Sequence, residues 1–101
     1  VPDDDDALSD LFSAEEIEAL LNTPPQVVIG NHVFHLLELA ALHLSADPVQ
    51  LAEARLTIDA VAGLLGAVGD RLGEHGDLLG EALAQIQLAY VQVAKGHSSS
   101  G

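Results

Sequence analysis

The chain has 101 residues, 16 acidic side chains against 3 basic ones for a formal charge of −13, 49% hydrophobic residues and no cysteine. That length holds one domain with a single modest core, near the size at which partner chains help, and the missing cysteines exclude disulfides, thiolate zinc sites and thiol nucleophiles. The charge balance excludes direct phosphate binding, which rests on Lys and Arg, and it favours solubility, repulsion from anionic lipid and basic partners.

Residues Val1 to Asp10 hold five aspartates and little apolar surface. They read as a disordered acidic lead-in, with acid where a secretory signal would carry basic residues. Ser13-Ala14-Glu15-Glu16 is a capping-box pattern, in which the Ser13 hydroxyl accepts from the Glu16 N–H. It predicts a short helix from Ala14 to Leu21 with a narrow apolar edge of Phe12, Ile17, Leu20 and Leu21. Two turns of helix are not stable alone, so this one is expected to dock. Pro24-Pro25 ends it and forms a stiff joint. The segment Asp10 to Asn22, DLFSAEEIEALLN, resembles the N-terminal tail peptide of flagellar motor switch proteins, with Glu18 where that family usually has Asp. The resemblance implies a tethered helical peptide that seats in a hydrophobic groove, in its own core or on a partner.

The next helix, Gln26 to Leu44, is the most hydrophobic. At 100° per residue Val27, Ile29, Gly30, Val33, Phe34, Leu36, Leu37, Ala40, Ala41 and Leu44 fall on one half, which is expected to face the core. Asn31, His32, His35, Glu38 and His43 interrupt the apolar run, which argues against a membrane span. The outer half also carries Val28, Leu39 and Leu42, and three large aliphatics there imply cover by another chain or by the N-terminal helix.

His32, His35 and Glu38 repeat at i, i+3, i+6, with His43 farther along the same helix. Imidazole plus carboxylate is a reasonable metal set, although the spacing is not the i, i+4 pair of a zincin helix. Duplicating these histidines across a self-association interface would strengthen a metal or pH-sensing role.

Asp47 as N-cap and Pro48 at the first helical position predict the entrance to a central helix. Its core stripe is Leu51, Ala54, Ile58, Val61, Ala62, Leu65, Val68 and Leu72, and Glu53, Arg55, Thr57 and Asp59 take the outer faces. Asp59 has a partner in Arg55 at i−4. Gly63, Gly66 and Gly69 weaken this helix, and close approach of a neighbouring helix is the expected compensation. Gly73 to Asp77 reads as the break before a last helix, Asp77 to Ala94. That helix buries Leu79, Ala82, Leu83, Ile86, Ala89, Tyr90, Val93 and Ala94 on one arc, and Gly96 to Gly101 reads as a flexible tail.

From Val27 to Val93 the chain resembles the DUF1844 family, small bacterial proteins with no assigned reaction. The residues that carry the likeness are His43-Leu44-Ser45, Pro48, Leu51-Ala52-Glu53-Ala54, Thr57-Ile58-Asp59, Leu72 and Ile86-Gln87-Leu88-Ala89-Tyr90-Val91, with gap-free spacing from Thr57 to Tyr90. Ser45, Asp70-Arg71 and Gln87 depart from the family pattern. The resemblance implies a small helical fold and, through gene neighbourhood in some relatives, a translation-linked role that would show as ribosome co-sedimentation.

The sequence therefore predicts an all-α fold: an antiparallel bundle of three main helices over residues 25–95, an acidic arm with a short capped helix over residues 1–24, and a tail over residues 96–101. Homo-oligomerisation, most simply a C2 dimer, completes it. The expected function is a non-enzymatic interaction or scaffold protein of the cytoplasm with a docking arm, acting without a cofactor, a membrane or direct nucleic-acid contact. A histidine-based metal or pH sensor is the alternative.

Overall fold

The computed structural model describes residues 12–99, with side chains described as far as Gly96. Among these the fold is all-α, and no strand occurs. The helices are α1 (Ala14–Asn22), α2 (Pro25–Ser45), α3 (Leu51–Val68) and α4 (Glu74–Ser99), with a 3-10 turn, Gly69–Leu72, between the last two. The acidic lead-in, Val1 to Asp10, lies outside the described residues.

Ser13 caps α1 as its sequence requires, its hydroxyl accepting from the Glu16 N–H at 3.1 Å. At the other end the Thr23 hydroxyl donates to the Ala19 carbonyl at 2.7 Å and the Thr23 N–H to that of Leu20 at 3.3 Å. Thr23 and Pro24 are then extended, with ψ of 126° and 134°. Each precedes a proline, whose ring disfavours the helical region for the residue before it. Pro25 opens α2 at a position where its missing N–H costs nothing.

The core joins α2, α3, the 3-10 turn and α4. Val33, Leu37, Val61, Leu72 and Leu79 are buried together, and Ile29, Leu36, Leu65, Ala82, Leu83 and Ile86 pack around them. Ala40, Leu44, Ala54 and Ile58 extend the seam between α2 and α3. This interior is thin: Val33 and Val61 are the only large side chains that are fully buried among the described residues. The outline is elongated, 58 × 29 × 22 Å with a radius of gyration of 17.8 Å, where a compact chain of this length would have a radius of about 13 Å.

Several local expectations are corrected. Asp47-Pro48 does not start α3; it is a cis peptide inside the connection, and the helix begins at Leu51 after Gln50. The Gln50 N–H reaches back to the His43 carbonyl at 3.0 Å, so a contact between helix ends sets the entrance in place of a local cap. The central helix stops at Val68, and the tighter 3-10 turn carries Leu72 into the core. Gly73 alone makes the break, at φ +65°, a region that costs glycine nothing. Gly76 and Asp77 therefore belong to α4, which runs on to Ser99, past the expected end at Ala94.

Thr57, expected outside, is buried, and its hydroxyl is satisfied by the Glu53 carbonyl one turn earlier at 2.8 Å. A small β-branched residue with a local hydrogen bond can be buried without an unpaired polar group. Phe34, expected inside, is 53% exposed, because α4 covers only the middle of the apolar half of α2 and Phe34 sits on its rim. Gly63 and Gly66 face open space, so no helix among the described residues approaches them. The close approach is at Gly76 instead, which packs on the Gly69 backbone.

Candidate docking surfaces

The first surface is the apolar edge of α1. None of its residues is buried, and Phe12, Leu20 and Leu21 are exposed, Leu21 by 81%. Ile17 is half-buried within this edge, and Glu15, Glu16 and Glu18 occupy the rest of the circumference. Of the two covers expected for the outer half of α2, another chain or α1, α1 leaves Leu39 and Leu42 exposed, at 41% and 66%, while Val28 is half-buried.

The second surface escaped sequence reasoning. The N-terminal halves of α2 and α4 diverge around an open groove of about 420 Å³, lined by Gln26, Val27, Gly30, Asn31, Phe34, His75, Leu78, Leu79 and Ala82. Phe34 and Leu78 form its exposed apolar rim, and Gly30 and Leu79 its floor. No carboxylate lines it, in a chain with 16 acids. The signal that could have found it is the stripe Val27, Gly30, Phe34 at i, i+3, i+7, displaced to one side of the core stripe Val33, Leu37, Ala40, Leu44.

The histidine face is only partly assembled. His35 Nδ1 lies 3.1 Å from Glu38 Oε1, both side chains exposed. His43 turns away to Gln50, its Nδ1 meeting the Gln50 side-chain carbonyl at the α2–α3 connection. His32 is exposed with no contact to either, and among the described residues no three potential ligands converge. An edge-on contact at 6.0 Å stacks His35 on the ring of Phe34.

A polar cluster sits between α3 and α4. The Arg55 guanidinium lies 6.0 Å from the Tyr90 ring centre, and its Nε is 3.6 Å from Asp59, the partner expected at i+4. The Tyr90 hydroxyl first, and the Asp59 carboxylate second, raise the Arg55 pKa above its usual value. A raised arginine stabilises the fold below its unfolded value and loses that only as pH climbs through its folded one, far above neutrality. The cluster thus links Arg55 and Asp59 of α3 to Tyr90 of α4 across the seam between the two helices.

By length and composition α2 is the one described helix long and apolar enough to cross a bilayer. Val33, Leu37, Ala40 and Leu44 are committed to the core, and Asn31, His32, His35 and Glu38 stand on its outer face.

Comparison of the chain with family models, with curated proteins and with solved structures finds no match.

Proposed function

We propose that this chain is a non-enzymatic interaction protein of the cytoplasm, built as an antiparallel bundle of three main helices that self-associates and presents α1 as an acidic docking arm. One observation carries the reading: α1 is capped at both ends, yet among the described residues none of its side chains is buried, and Leu20 and Leu21 stay exposed. A nine-residue helix gains little from its own hydrogen bonds. Burying Leu20 and Leu21 on a second surface would contribute about 1.5 to 3 kcal/mol each, so docking supplies the stability the isolated helix lacks. The outer residues Leu39 and Leu42 of α2, with Val28 about three turns earlier on the same helix, form a further surface suited to a protein partner.

Removing residues 1–24 tests this. The bundle should remain folded, while its association state or the set of co-purifying proteins changes. An unchanged sedimentation profile together with unchanged partners would argue against a docking arm. The contact between His35 and Glu38 supports a second reading, metal binding completed by the same pair of a neighbouring copy. Titration calorimetry with Zn²⁺ and Ni²⁺ decides it, and absence of heat at micromolar metal retires it.

A further inference from the structure

We infer that the groove between α2 and α4 receives the α1 helix of a second copy, giving a reciprocal, arm-exchanged pair. The inference rests on the docking-arm reading and names the partner.

The dimensions agree. The nine residues of α1 make a rod about 13 Å long, and the groove runs beside α2 from Gln26 to Phe34, about 12 Å. The chemistry agrees as well. Ile17, Leu20 and Leu21 present one apolar edge, and Val27, Phe34 and Leu78 present an apolar rim. The polar groups among the lining are Gln26, Asn31 and His75, which can donate to the glutamates of α1, and no lining carboxylate repels them.

The chain's own arm does not occupy the groove: no residue of α1 lines it, and Thr23 and Pro24, which lead from α1 to the start of α2 beside it, both precede prolines and are extended. The arm of a second copy is not tied to this groove by that joint, and a two-fold axis seats both arms at once.

Like charge distinguishes this partner from a basic one. Two copies of a −13 chain repel, so their association tightens as salt screens the repulsion, whereas association with a basic partner weakens.

The test uses two full-length variants, both altered at exposed positions outside the core. One is arm-defective, Leu20→Glu with Leu21→Glu; the other is groove-defective, Phe34→Glu with Leu78→Glu. Circular dichroism checks that each is folded. By sedimentation equilibrium the wild type should dimerise, more tightly at about 0.5 M than at about 0.05 M NaCl. Each variant alone should associate at least about 100-fold more weakly, since each loses two buried leucine-sized contacts per arm. Mixed, they should form a heterodimer, because the intact arm of one fits the intact groove of the other. A monomeric wild type, a dimer indifferent to either variant, or a mixture no more associated than its components overturns arm exchange. If arm removal still alters the co-purifying proteins in any of those cases, the docking arm stands and only its self-directed partner falls.

Discussion

Gly76 of α4 is pressed against the backbone of Gly69, and a β-carbon placed at Gly76 would overlap the Gly69 carbonyl oxygen while standing 3.1 Å from its carbonyl carbon and 3.3 Å from Cβ of Leu72. The obstacle is mainly backbone, which cannot rotate away as a long side chain would. Gly76→Ala should therefore cost about 2 to 3 kcal/mol, read as a lower urea midpoint with the same slope. Gly80, a turn later in the same helix, meets nothing within 4 Å. There Gly80→Ala should gain up to about 1 kcal/mol, from helix propensity alone.

Val33 and Val61 occupy the two fully buried large positions. Truncating either to alanine removes two methyl groups from a site that cannot fill with water, and should cost about 2 kcal/mol. Leu56 is 73% exposed on α3, so Leu56→Ala should stay within about 0.5 kcal/mol of the parent. Equal losses at Val61 and Leu56 in urea unfolding would contradict the core assignment.

Thr57 separates shape from hydrogen bonding. Its hydroxyl returns to the Glu53 carbonyl of its own helix and reaches no other element. Thr57→Val removes the hydroxyl together with its desolvation cost and keeps the shape, so stability should change by less than about 1 kcal/mol. Thr57→Ser keeps the hydrogen bond, loses a buried methyl and should cost about 1 kcal/mol. Thermal unfolding of the two variants in parallel gives the order.

Ser13→Ala removes the side-chain acceptor for the Glu16 N–H. Loss of an N-cap costs about 1 kcal/mol, and since α1 contributes no buried residue, that cost should stay local. At concentrations low enough for the chain to be monomeric, hydrogen exchange of the α1 amides should accelerate about fivefold, with the global unfolding midpoint unchanged. A drop in the global midpoint would place α1 within the cooperative core.

The helices and their main core stripes were legible in the sequence because they rest on period and composition. Val33, Leu37, Ile58 and Val61 recur at helical spacing, and Ser13 announces α1 by a local hydrogen bond. What escaped depends on how much one helix covers of another. Periodicity gives the apolar half of α2 but not the width that α4 shields, so Phe34 was placed inside. Gly63, Gly66 and Gly76 look alike in sequence, and only the crossing of α4 over the 3-10 turn makes Gly76 the one that cannot gain a side chain. Asp47-Pro48 has the composition of a helix start, yet the contact between His43 and Gln50 across the connection overrides it. Ile17, Leu20 and Leu21 are legible as an apolar edge, while the groove requires two helices seen together.

The two extended residues between α1 and α2 give the arm a bearing as well as a reach. A glycine-serine spacer of that length would let whatever grips α1 swing freely about the bundle. Thr23 and Pro24, each held extended by the proline that follows, work instead like a rigid outrigger bracket. A body clamped on α1 would be carried at a set angle to α2, so the joint would decide the geometry of any assembly before a contact elsewhere on the chain is made.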